Sequence, residues 1–186
     1  MNILYLGKYA KRFDPVISEI RRLPPGTPVL ELCFGDIYIA DFCKKNGFPW
    51  TGLDINDDFV EMARKAGFDA RMTDVIAAEQ LPTAGACIMM GSLYHFHRNT
   101  EDILGKMLQA ADLIIISEPV LNLSARNGVI GWFAKKGANA GKGDEHFRYN
   151  RTSFRRMLEE NSAKLGFRIE EVDDRGKDLI VKLTRK

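Results

Sequence analysis

At 186 residues the chain is the size of one domain, and its composition, 45% hydrophobic and 28% charged, excludes disordered and collagen-like chains. Lys and Arg total 27 against 25 Asp and Glu, a formal charge of +2 that leaves no whole-chain footprint for nucleic acid. The charge is unevenly spread: between Ala125 and Arg156 eight basic residues meet only Asp144 and Glu145, a local +6 that leaves −4 elsewhere.

In chain order, helical spacing of Phe13, Val16, Ile17 and Ile20 predicts a helix from about Tyr9 to Leu23, broken by Leu23-Pro24-Pro25-Gly26. A strand over Pro28–Cys33 runs into Gly35. Asp36 is placed to cap the next helix, which carries Ile37, Ala40 and Cys43 on one side and ends at Gly47. A second strand, Phe48–Leu53, closes on Asp54. Asn56 is placed to cap a helix with Phe59, Val60, Met62 and Ala63, ended by Gly67. The third strand, Phe68–Met72, closes near Asp74, and the fourth, Ala86–Met90, closes at Gly91-Ser92. A helix follows from Asn99 to Ala110, then a fifth strand, Leu113–Ser117, closing at Glu118-Pro119.

Alternation of strands with mostly helical segments is the mark of an α/β, doubly wound parallel sheet, and the near-continuous apolar runs suit strands covered on both faces. After Glu118 the pattern changes to a glycine-containing segment with the apolar cluster Val129, Ile130, Trp132 and Phe133 among basic residues. A helix over Thr152–Leu165 stops at Gly166, and Phe167–Val172 with Leu179–Leu183 form an antiparallel hairpin.

In such sheets ligands sit beyond the C-terminal ends of the strands. Asp54, 19 residues after Gly35 and at a strand end, has the position and chemistry to accept two hydrogen bonds from a ribose diol. The competing reading is that it only caps the following helix. The preceding turn, Glu31-Leu32-Cys33-Phe34-Gly35-Asp36-Ile37, has one glycine, and Asp36 would repel a pyrophosphate. A ligand without phosphates and with a positive charge suits Glu31 and Asp36 better, which disfavours a nicotinamide-dependent oxidoreductase.

At these residues the chain resembles the class I S-adenosylmethionine-dependent methyltransferases. Val29–Ile37 (VLELCFGDI) is similar to that family's first motif, Leu53–Asn56 (LDIN) to its ribose motif, and Asp74 to its adenine-side acid. Residues 87–108 resemble its fourth strand and following helix, Ala111–Pro119 its fifth strand, and residues 146–172 its last helix and sixth strand. The resemblance implies a Rossmann-like sheet of seven strands in the order 3-2-1-4-5-7-6 with the last strand antiparallel. It also implies S-adenosyl-L-methionine as cofactor, with no metal. On this reading Glu31, Cys33, Gly35 and Ile37 hold the methionine part, Asp54, Ile55 and Asn56 the ribose, and Asp74 with Val75 the adenine. Gly91, Ser92 and Leu93 line the opposite wall. Two of the three motif glycines are replaced, by Cys33 and Ile37, and glycine is what tolerates a positive φ. Either the turn has a less demanding shape or cofactor affinity falls. Glu31, Gly35, Asp54 and Asp74 favour continued binding.

Methyl transfer from a sulfonium needs alignment and exclusion of water, and a hydroxyl acceptor also needs a base. His95, just past the fourth strand, and His146 are the candidate bases. The competing reading is a packed turn with His95 satisfied by backbone. Tyr9, Tyr94, Trp132, Lys135, Lys136 and Tyr149 are candidates for the acceptor side, with Lys142 nearby. The basic, aromatic segment suits a small anionic acceptor, peripheral contact with an anionic membrane surface, or ordinary packing among solvated lysines. The alternatives to a small-molecule methyltransferase are a non-catalytic S-adenosylmethionine-binding module and an RNA methyltransferase.

The expected organisation is a single methyltransferase domain over 1–186. It comprises an N-terminal helix and lid (1–26), a cofactor-binding core (27–118), a substrate lid (119–147), and the last helix with the terminal hairpin (148–186). Three cysteines without a CxxC pair, and apolar runs too short for a signal peptide or a membrane span, predict a reduced, cytoplasmic protein.

Overall fold

The computed structural model describes residues 9–120, 147–174 and 176–186. The chain enters through a 3-10 turn, Tyr9–Arg12, and helix α1, Asp14–Ile20. The sequence pattern reads as one helix here. Pro15 divides it, because proline has no N–H to bond backwards and its ring clashes with the carbonyl four residues earlier. Proline suits the first turn, so α1 starts where Pro15 allows it.

Strands β1 (Val29–Leu32), β2 (Trp50–Asp54), β3 (Asp69–Met72), β4 (Ala86–Met90) and β5 (Leu113–Pro119) run parallel. Helices α2 (Tyr38–Lys45), α3 (Asp57–Lys65) and α4 (Thr100–Ala110) fall between them. A second 3-10 turn, Leu93–Phe96, leaves β4. Helix α5 (Arg151–Leu165) leads to β6 (Phe167–Asp173) and β7 (Asp178–Arg185). The seven strands form one sheet in the order β3-β2-β1-β4-β5-β7-β6, with β7 antiparallel to both β5 and β6, as expected from the sequence.

Alternation along the strands feeds two cores. Leu30, Leu32, Met89, Ile114 and Ile116 face α4 and α5, where they meet Leu104, Met107 and Phe154. Val29, Ile88 and Ile115 face the opposite layer and meet Val16, Ile39 and Val60. Because both of their faces are covered, the central strands β1, β4 and β5 read as apolar runs rather than as an alternation.

The helix ends follow local chemistry. The Asn56 side chain accepts from the Asp58 amide at 2.9 Å and caps α3 as expected. The cap of α2 differs: Ile37 occupies the N-cap with no side-chain bond, while Asp36 accepts the Tyr38 amide at 2.9 Å from one residue earlier. Asn150 and Ser153 form a capping box at α5, and Gly166, at φ 72°, stops that helix.

Candidate functional site

Parallel register brings the C-terminal ends of β1 to β5 to one edge of the sheet, and the chain turns there after β1, β2, β3 and β4. After β1, Cys33 takes φ 54° and Gly35 φ 58°. Cys33 therefore adopts the left-handed backbone for which glycine is the easy residue. Ile37, the other replaced glycine, sits at φ −104° and needs no such freedom. A Cβ on Gly35 would meet nothing within 4 Å, so this turn opens onto space at the sheet edge.

Asp54 ends β2 beside that turn. Its Oδ2 accepts the Gly35 amide at 3.3 Å and its Oδ1 the Asn56 amide at 2.8 Å. It thus ties the two strand-end turns together, while Asn56 does the helix capping. Burial raises the Asp54 pKa, opposed by the backbone amides that hydrogen-bond it. Glu31 lies buried beneath, accepting the Trp50 indole N–H at 2.9 Å. Its pKa is raised well above the ordinary carboxylate range by burial, opposed by Trp50 and reinforced by Asp36 and Asp54. Room for the Trp50 indole comes from Gly52, where a Cβ would overlap it and the Phe34 ring.

After β3, Asp74 Oδ1 accepts the amides of Ile76 at 3.0 Å and Ala77 at 3.4 Å, which folds the turn back. Val75 is buried in the core, so only its backbone can face a ligand. Two side chains not singled out in the sequence flank this turn: Met72, 61% exposed, and Ile76, 41% exposed. Lys106 of α4 braces it, donating to the Ile76 carbonyl at 2.6 Å and the Val75 carbonyl at 3.3 Å.

After β4, Gly91 takes φ 65°, and its amide donates to Ser117 O at 2.6 Å. Ser92 Oγ turns back to the Met90 carbonyl at 3.3 Å. The Leu93 and Tyr94 side chains are buried in the core, which leaves His95 as the half-buried side chain of the turn. The Arg148 guanidinium lies 3.7 Å over the Tyr94 ring, and the His95 ring centroid is 3.9 Å from that of Tyr94. His95 Nδ1 is buried without a hydrogen-bond partner among the described residues, so the backbone does not satisfy that nitrogen. Burial, helped by the positive charge of Arg148, lowers its pKa to about 4. His97 stacks on Phe147 at 4.2 Å. Tyr149 is core: it packs edge-on to Phe147 and against Phe154, its hydroxyl hydrogen-bonds Thr100, and burial pushes its pKa up to about 12.

From the N-terminal turn, Arg12 reaches across this edge. Its Nε lies 3.3 Å from Asp178 Oδ2, which also accepts from Ser117 Oγ at 3.3 Å, and its Nη2 lies 2.9 Å from where a Gly91 Cβ would stand. Arg12 and Asp178 carry no motif and are far apart in sequence, so nothing in the sequence pairs them. His146, Trp132, Lys135, Lys136 and Lys142, and the Tyr9 side chain, lie outside the described residues.

No family model matches this chain, and no curated protein matches it in sequence. Solved structures do match. The magnesium protoporphyrin IX methyltransferase of Synechocystis, with bound S-adenosylhomocysteine (SAH), has a TM-score of 0.68 at 17% identity, over 96% of this chain and 83% of that one. An S-adenosylmethionine-dependent methyltransferase from Mesorhizobium loti has a TM-score of 0.68 at 17% identity, over 94% and 98%. The N-terminal domain of EvdMO1, with SAH bound, has a TM-score of 0.69 at 18% identity, over 94% and 81%. The chain has the class I S-adenosylmethionine-dependent methyltransferase fold. Among the described residues no helix is long and apolar enough to cross a membrane.

Proposed function

We propose that this chain is a methyltransferase that takes S-adenosyl-L-methionine as donor and a small, anionic molecule as acceptor. The observation that carries the reading is the link between Gly35 and Asp54 at the adjacent ends of β1 and β2. A left-handed turn open to space and a strand-end carboxylate beside it suit a nucleoside whose ribose needs two acceptors and whose positive end needs acidic surroundings. On this reading Glu31, Cys33, Gly35 and Ile37 hold the methionine part. Asp54, Ile55 and Asn56 take the ribose, and Asp74 and Val75 the adenine edge between Met72 and Ile76. Gly91, Ser92 and Leu93 form the far wall. The bound donor supplies an electrophilic methyl group; the chain's residues orient the acceptor and exclude water.

His95, neutral across the physiological range, accepts a hydrogen bond from an acceptor N–H or O–H at its unpartnered Nδ1. A group with so low a pKa is a weak proton acceptor, so it orients more than it deprotonates. Arg148 over Tyr94 adds a fixed positive charge beside it, which supports an anionic acceptor. From outside the described residues Tyr9, Trp132, Lys135, Lys136 and His146 complete the acceptor side, while Tyr94 packs in the core beneath Arg148. Tyr149 acts from the core, by packing. The same reading keeps the protein in the cytoplasm, with Cys33, Cys43 and Cys87 as free thiols.

Calorimetry with S-adenosylmethionine, SAH and NAD tests the donor. Binding of the two adenosyl compounds but not NAD is the expected result, and no binding of either overturns the reading. Neutralising Lys135, Lys136 and Lys142 together should weaken acceptor binding and leave donor affinity intact, as read from KM and calorimetry. Equal loss of both would refute that division. A second reading, a donor-binding module without transfer, is favoured by one observation: Cys33 holds a strained φ of 54° where a glycine would be relaxed. Donor binding with no transfer to any acceptor would select it.

A further inference from the structure

The 3-10 turn Leu93–Phe96 starts with a deficit. The first amides of a helical turn have no partner within it, and a Ser at the N-cap ordinarily supplies an oxygen. Here Ser92 makes no side-chain cap, since its hydroxyl is turned back to Met90 O. Leu93 is fully buried, so water does not reach its amide either. The missing acceptor comes from another strand. Ser117 of β5 pairs with Met90 of β4, so Glu118 stands one residue beyond the last pair, level with the exit of the chain from β4. Its Oε2 accepts the Leu93 amide at 3.0 Å, and the Tyr94 amide also hydrogen-bonds the carboxylate.

Glu118 is completely buried, and its Oε1 has no hydrogen-bond partner among the described residues. A carboxyl in that position is costly, and an apolar side chain would fill the space without the desolvation. The groups acting on it are Arg148, of opposite charge, Asp178, of like charge, and the Tyr149 phenol. What the carboxyl does that an apolar residue would not do is hold two amides of the turn that carries Tyr94 and His95.

We infer that Glu118 is the positioning residue of the acceptor wall: from the end of β5 it caps the turn after β4 and fixes where His95 stands. The cap is read from this structure alone, whereas its place in methyl transfer rests on the function proposed above. Without the carboxyl the turn has no acceptor for its first amides, and the His95 ring loses its fixed, water-poor seat beside Tyr94.

The test is NMR of the full chain in three forms: wild type, Glu118→Gln, which keeps an accepting oxygen, and Glu118→Leu, which keeps volume only. In wild type and Glu118→Gln the Leu93 and Tyr94 amides should resist hydrogen exchange, and the His95 ring should stay neutral to well below pH 6.5. In Glu118→Leu the two amides should exchange at least roughly tenfold faster, the loss of about one uncharged hydrogen bond. The His95 midpoint should also rise towards its ordinary value. A folded Glu118→Leu chain with an unchanged His95 midpoint would overturn the inference. Should that variant not fold, wild type decides: its Leu93 amide shift must titrate with a carboxyl midpoint well above the ordinary one, and unprotected Leu93 and Tyr94 amides would overturn the cap. Calorimetry on wild type separates the two layers, since failure to bind S-adenosylmethionine removes the proposed function without touching the exchange result.

Discussion

Replacing Glu118 by Gln should change how stability depends on pH. Burial, with Asp178 adding to it and the Leu93 and Tyr94 amides and Arg148 opposing it, raises the Glu118 pKa from 4.5 to about 8. In the unfolded chain the same side chain ionises near 4.5. Between those values the folded state holds a proton that the unfolded state has released, so wild-type stability is fully present below 4.5 and falls as pH rises. The slope is about 1.4 kcal/mol per pH unit, and over the whole interval the loss is on the order of 5 kcal/mol. Gln carries no such titration. It can keep an oxygen for the Leu93 amide, and its NH2 faces the same unpartnered space as the protonated acid, so near pH 5 the two proteins should differ by no more than about 1–2 kcal/mol. By about pH 8 the Gln form should lead by several kcal/mol. Urea unfolding of both proteins across that range, with midpoints compared at equal slopes, reads the difference. Stability curves that run parallel would refute the reasoning, because they would mean that Glu118 is ionised in the fold at neutral pH.

Other expectations follow from the same edge of the sheet. Asp54→Ala should lower S-adenosylmethionine affinity roughly 100-fold, the worth of two charge-assisted hydrogen bonds, in calorimetry on protein shown by its melting curve to be folded. Gly91→Ala should destabilise by about 1–3 kcal/mol in urea, since alanine must take a positive φ there and its Cβ would stand 2.9 Å from Arg12 Nη2; a change under about 0.5 kcal/mol would count against the Arg12 placement. For His95, lowered to about 4, stability is lost as pH falls from 6.5 towards 4, because the unfolded ring protonates first. His95→Phe should flatten that acid-side decline, as read from thermal midpoints between those two values.

The central strands were legible because each is an apolar run bounded by a turn signal, as at Pro28–Cys33 before Gly35 or Leu113–Ser117 before Glu118, whereas the strand order came from the family resemblance. The ends were less so. Pro15 splits a helix whose apolar spacing runs straight through it, and the cap of α2 falls one residue after the aspartate that best fits a capping rule. Of the site, Asp54, Gly35 and Asp74 stand out because their positions follow from local strand ends. Tyr94 and Tyr149 both read from the sequence as acceptor-side tyrosines, yet both are buried in one core, Tyr149 against Phe147 and Phe154. Nothing local reveals this, since burial depends on which elements close over each ring.

The sequence by itself determined most of the strands, the terminal hairpin and the acidic residues at the strand ends, because apolar period and turn chemistry are short-range properties that survive in one dimension. Tertiary structure decided what those residues do there. It made Cys33 take a glycine's backbone, brought Arg12 to Asp178, and left a Glu118 oxygen and the His95 Nδ1 buried without a partner among the described residues. Burial and the proximity of residues distant in sequence fix how a side chain ionises and what it can hold, and the fold alone supplies both.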